Sequence, residues 1–140
     1  MINYNYETDF VLDNESQITD WLSKVILSEN KSEGEINYIF CDDTYLFQIN
    51  EQYLNHDTLT DVISFDYSLG NELAGDIFIS VERVLDNSKD FETTFENELR
   101  LVMAHGILHF CGYKDKNTEE EILMRSKEDE KLQMFHVEQQ

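Results

Sequence analysis

Apolar residues in this chain recur at two spacings. From Glu15 to Glu29, Ile18, Trp21, Leu22, Val25 and Ile26 fall three and four apart, one face of an α-helix, with Asp13 or Asn14 placed to cap it. Residues 4–10 form a first short strand. Residues 35–41 alternate as a strand, Ile36, Tyr38 and Phe40 on one face and Ile39 and Cys41 on the other, which predicts burial on both sides. Asp42 or Asp43 then caps a helix to about Leu54 with Leu46, Ile49 and Tyr53 inward, and Asn55 to Thr60 is a polar connection. Two more strands follow, Val62 to Tyr67 and Leu73 to Ser80, joined by the turn sequence Ser68-Leu69-Gly70-Asn71-Glu72. Ser80 opens a short helix toward Asn87. Thr93 or Thr94 caps a longer one from Phe95 to about Phe110, with Leu99, Val102, Met103 and Leu108 as its buried stripe, and Gly112 stops it. Thr118-Glu119-Glu120-Glu121 reads as a capping box that starts a last helix running to about Phe135.

About four strands among about five helices predict an α+β class or a mixed-sheet layer fold. The 140 residues fit one domain, 1–140, without repeats or linkers. No apolar stretch nears the roughly 20 residues that cross a bilayer. Met1 to Glu7 has neither a basic nor an apolar leader segment, so the expected location is cytoplasmic, with Cys41 and Cys111 as reduced thiols. The net charge is −20, from 30 acids against 10 bases. Nonspecific nucleic-acid affinity comes from Lys and Arg displacing counterions, so this balance excludes a general nucleic-acid binder. An enzyme acting on RNA remains compatible with it, given a local basic or metal-lined surface or a partner that presents the substrate. The acidity itself serves solubility.

The candidate chemistry lies in His105-Gly106-Ile107-Leu108-His109-Phe110-Cys111-Gly112-Tyr113-Lys114-Asp115. Residues four apart share a helix face, so the two imidazoles project side by side and can share one divalent ion. Gly112 lets the chain turn back, and the side chain it returns is Asp115. Three protein ligands with a fourth position open to water or substrate is the layout of a catalytic zinc site. The alternative is an ordinary pair of histidines on a helix face. The zinc-protease helix carries Glu directly after its first His as general base; here that position is Gly106, so a peptidase mechanism of that kind lacks its base.

These residues resemble the YbeY family of bacterial rRNA maturation factors, zinc-dependent endoribonucleases. The family motif His-Gly-x-Leu-His-x-x-Gly-Tyr-x-His is matched from His105 through Tyr113. Thr60-Asp61-Val62-Ile63-Ser64-Phe65, Gly75-Asp76-Ile77-Phe78-Ile79-Ser80 and Asn50-Glu51-Gln52-Tyr53 resemble upstream family segments in the same order. Two departures stand out. Asp115 occupies the place of the usual third His, and Leu54 the place of an arginine that handles the anionic substrate. His56, Lys114 and Lys116 are candidates for replacing that charge.

The resemblance implies a mixed four-stranded sheet with helices around it, a zincin-like metal helix and one zinc ion at the helix edge. It also implies a single-strand-specific endoribonuclease acting in small-subunit rRNA maturation and ribosome quality control. Its partners would be rRNA and a ribosome-assembly GTPase, with no DNA and no membrane. Ser64 and Asp76 are candidates for orienting the substrate, against the simpler reading that they make hydrogen bonds at strand ends. Two other classes compete: a ribosome-assembly binding factor with a structural or weakly catalytic metal, and a metallohydrolase of a non-nucleic substrate, which Gly106 argues against. Trp21 and Cys111 are expected to be packed, and His136 to be solvated.

Overall fold

The computed structural model describes residues 1–54 and 60–138, without the side chains of Tyr53, Leu54 and Glu138. In chain order the elements are β1 (Ile2–Tyr6), α1 (Glu15–Ser28), β2 (Ser32–Cys41), α2 (Asp43–Leu54), β3 (Val62–Asp66), β4 (Glu72–Ser80), α3 (Val81–Asp90), α4 (Phe95–Phe110) and α5 (Thr118–Glu138). The expected α+β class and mixed four-stranded sheet are both present. The sheet order is β1-β2-β4-β3, with β1 and β4 parallel to β2 and only β3 antiparallel to its neighbour. β3 is therefore an edge strand.

Period-two alternation splits the sheet into two faces. Ile36, Tyr38, Phe40, Leu73, Ile77 and Ile79 are buried in one large core with Trp21, Leu22, Val102, Met103 and Phe135. On the opposite face Cys41, Leu46 and Ile63 form a smaller cluster under α2, joined by Tyr45, Ile49, Phe65 and Phe78. The expected stripe of α4 is buried in full. Gly106, in the middle of that helix, faces the sheet: a Cβ there would lie 2.7 Å from Ile77 Cδ1. Glycine at 106 lets α4 sit close to β4, and no side chain at that position projects toward solvent.

Several expected boundaries move. The first strand covers 2–6 rather than 4–10: pairing with β2 ends where Glu7 N–H donates to Phe40 O, and Phe10 leaves the ladder to pack its ring edge-on against Phe40 and Phe95. β2 begins at Ser32, three residues early, with an irregular register between Glu33 and Ile36. Asn14 occupies the N-cap position of α1 without capping it, because its amide bonds to Gln17 Oε1 instead. Asp42 caps α2 by accepting from Tyr45 N–H at 2.8 Å, and Ser80 and Thr94 cap α3 and α4 as expected. The cap of α5 is Asn117, not Thr118. Asn117 Oδ1 accepts from Glu120 N–H, while Glu120 Oε1 reaches back to Lys116 N–H. His56, the 55–59 connection and the side chains at Tyr53 and Leu54 lie outside the described residues. Among the described residues no helix is long and apolar enough to cross a membrane.

Candidate metal centre

The C-terminus of α4 ends in a Schellman motif. Tyr113 N–H donates to Leu108 O at 3.1 Å and Gly112 N–H to His109 O at 3.0 Å, with Gly112 at φ +105°. This turn sends the chain back along the helix and brings Asp115 to the histidines. His105 Nε2 and His109 Nε2 are 2.9 Å apart, and Asp115 Oδ2 lies 3.3 Å from the first and 3.4 Å from the second. Ligand atoms around a tetrahedral zinc with bonds near 2.0–2.1 Å are separated by about 3.3 Å, so the triangle would fit such an ion.

Hydrogen bonding on the far side of each ring fixes what the triangle offers. His109 Nδ1 is 2.9 Å from the carbonyl of Tyr113, which can only accept, so Nδ1 carries the proton. His105 Nδ1 is 2.5 Å from Glu128 Oε2, again an acceptor. Both Nε2 atoms then present lone pairs toward each other and toward a carboxylate oxygen. Three acceptors at this separation are satisfied by a cation, either a metal ion or, without one, a proton taken up by His105. Imidazoles held through Nδ1 by a carboxylate and a backbone carbonyl are the usual supports of metal-binding histidines. Side-chain exposure rises from 18% at His105 through 29% at His109 to 41% at Asp115, so the triangle opens to solvent on the Asp115 side.

Behind His105 lies a group of carboxylates that the sequence did not mark. Glu128, on α5, is 5% exposed, and Glu98, two turns before His105 on α4, equally so. Burial raises the carboxyls of Glu98 and Asp61 above their ordinary range, helped at Glu98 by repulsion from Asp61 and opposed at Asp61 by hydrogen bonds and by His105. Burial alone lowers the pKa of His105. Glu128, with Asp115 and Asp61 behind it, reverses this, and the net shift is upward. Glu128→Gln should separate the two roles of that carboxylate. Without zinc, thermal stability should fall modestly, because the substitution weakens the pairs with His105 and Arg125 while keeping an acceptor for the ring. Zinc affinity, measured by chelator competition, should fall about tenfold or more. An unchanged affinity would mean that Glu128 does not support the ligand ring.

Of the remaining candidates, Lys114 and Lys116 are exposed and flank Asp115. Ser64 pairs with Ile77 in the β3–β4 ladder, on the sheet face that packs α4. Asp76 is on the other face: it pairs with Phe65, and its Oδ1 accepts from Asn37 Nδ2 at 3.0 Å, away from the histidines. The structure therefore separates Ser64 from Asp76. Cys111 is half-buried against the large core, burial pushing its thiol up to about 11, and Cys41 is buried; both are free. Trp21 is fully buried, its indole N–H donating to Lys131 O at 2.8 Å, and His136 is exposed.

The sequence profile of the endoribonuclease YbeY family matches residues 2–136. The chain belongs to the YbeY family. Endoribonuclease YbeY of Flavobacterium johnsoniae is 72% identical over 139 residues, covering 99% of this chain and 100% of that one. Endoribonuclease YbeY of Christiangramia forsetii is 58% identical, covering 99% and 96%. Among solved structures, the solution structure of TM1509 from Thermotoga maritima superposes with a TM-score of 0.72 at 27% identity, over 99% of this chain and 91% of that one. YbeY membership agrees with the motif resemblance read from residues 105–113.

Proposed function

We propose that this chain is a zinc-dependent endoribonuclease that cuts single-stranded RNA in maturation of the small ribosomal subunit. The observation that carries the reading is the convergence of His105 Nε2, His109 Nε2 and Asp115 Oδ2 into a triangle of lone pairs. Family membership supports RNA as the substrate. Two imidazoles and one carboxylate suit zinc. When bound, the ion supplies Lewis acidity, polarising a phosphate oxygen and activating water or a ribose hydroxyl.

The chain's own residues do the rest. Glu128 and the Tyr113 carbonyl hold the two rings in the tautomer that offers Nε2. Asp115 closes the triangle on its exposed side and neutralises one positive charge, so bound water is less acidic there than in an all-histidine site. Lys114 and Lys116 beside Asp115 meet phosphate oxygens. The net charge of −20 favours RNA presented within a precursor particle, alongside an assembly GTPase, over RNA captured freely.

The test combines metal content with cleavage. Purified protein should bind about one zinc per chain and cut single-stranded RNA, and chelation should abolish cleavage until zinc is restored. Asp115→Ala should lose or weaken the zinc. Cleavage that survives metal removal would overturn the mechanism, and unchanged zinc in Asp115→Ala would show that another group completes the site.

A further inference from the structure

One cavity among the described residues lies away from the histidines. It has a volume of about 560 Å³ and lies between α2 and the opposite face of the β3–β4 hairpin. Tyr45, Phe65, Tyr67 and Phe78 line it, together with the amides of Gln48 and Gln52 and the carboxylate of Asp76. Tyr45 stacks on Phe78 at 6.3 Å between centroids, and Phe65 meets Phe78 edge-on at 5.9 Å. Tyr67 is 61% exposed at the rim. Asp76 Oδ1 accepts one bond from Asn37, so both of its carboxylate oxygens keep lone pairs for a ligand.

We propose that this cavity receives an unstacked nucleobase of the RNA strand, with guanine preferred. The proposal rests on the RNA-cleaving reading above. Three observations carry it. A chain with 10 bases against 30 acids gains little affinity from phosphates, so much of its hold on a single strand has to come from stacking and base-edge hydrogen bonds. The cavity supplies both: aromatic faces for the ring, and fixed polar groups for its edge. Finally, it adjoins the edge strand that also borders the metal helix. Ser64 points to the α4 side and Phe65, the next residue, to the cavity side, with no further strand outside β3 among the described residues. A single strand that rounds this edge would reach both the face that carries the metal helix and the face that carries the cavity.

Guanine is favoured because its adjacent N1–H and N2–H donors suit a carboxylate, while Gln48 or Gln52 can donate to O6. Adenine and cytosine offer the carboxylate a single exocyclic amino group, and uracil only N3–H between two carbonyls.

The experiment uses the full chain with His109→Ala, which leaves the cavity intact, and labelled single-stranded RNA oligonucleotides followed by fluorescence anisotropy. Oligonucleotides with one guanine in a uridine background should bind about tenfold tighter than uridine alone. Tyr67→Ala, at an exposed rim position, should weaken both about tenfold. Asp76→Asn should erase the difference between them. In the otherwise native, zinc-loaded chain both substitutions should raise KM more than they lower kcat, with zinc content unchanged. If RNA is cleaved but both variants bind and turn over all oligonucleotides like the parent, the cavity proposal fails while the nuclease reading stands. If the variants lose association with ribosomal particles while keeping full affinity for free RNA, the cavity binds protein and the proposal also fails. Absence of RNA cleavage by the zinc-loaded native chain would remove the reading beneath it.

Discussion

His109→Ala should abolish RNA cleavage and weaken zinc binding by about a hundredfold or more, with the fold intact. The imidazole is part-exposed at the last turn of α4, and its loss removes one of three donors. Without metal the cost is small, because the ring is part-exposed and sits at the end of the helix. The fold and the site can therefore be read separately. Zinc at 100 times its dissociation constant adds about 2.7 kcal/mol to the native chain, worth roughly 10 °C of melting temperature at this size. The variant should show none of that shift at the same zinc concentration. His105→Ala should match it in zinc binding and differ in stability, since it leaves the buried Glu128 carboxylate with only the longer pair to Arg125 among the described residues, at a cost of about 1–3 kcal/mol. A zinc-induced shift that persists in both variants would take the ion away from α4 altogether.

The contrast between those two histidines shows what the chain discloses by itself. Helical phase places 105 and 109 on one face, and a glycine past the helix end is a local signal, so the triangle could be drawn from spacing. Glu128 comes 23 residues after the ring it supports and Glu29 lies 80 residues before His109, and no periodicity links them. Only the docking of α5 and of the end of α1 brings them in. The separation of Ser64 from Asp76 has a similar cause. Each strand's alternation was readable, but which residues share a face depends on the register across the hairpin, and that register pairs Asp76 with Phe65 rather than with Ser64. The order β1-β2-β4-β3 likewise puts β4 between two strands that precede it in the chain, an arrangement fixed by long-range packing. Where two adjacent residues are both good caps, as at Asn117 and Thr118, the choice falls to the local reciprocal bond, here Glu120 reaching Lys116 N–H.

Glu29→Ala should cost about 3 kcal/mol of stability and, from a residue that touches no ligand, lower zinc affinity about tenfold. Glu29 ends α1 with a side chain 9% exposed. Its Oε2 accepts from Lys131 at 2.7 Å and Lys127 at 3.2 Å, and its Oε1 from the Tyr113 hydroxyl at 2.6 Å. Lys131 is fully buried, so removing the carboxylate leaves its ammonium only Ser28 Oγ and the half-exposed Glu130. The same substitution frees Tyr113, whose carbonyl holds His109 Nδ1, and so loosens a ring in the metal triangle. Glu29→Gln keeps volume and an acceptor for Tyr113 and should restore most of the zinc affinity but little of the stability. The pH dependence has a definite sign. Burial alone would raise the Glu29 pKa, but Lys131, Tyr113 and Lys127 outweigh it and hold it below the ordinary carboxylate value. Its contribution is therefore complete above the unfolded-state pKa and disappears as pH falls through the lower folded-state value. Denaturant melts of the native chain and Glu29→Gln should differ most near neutrality and converge on acidification; curves that stay parallel to low pH would show that the ion pair does not supply the difference.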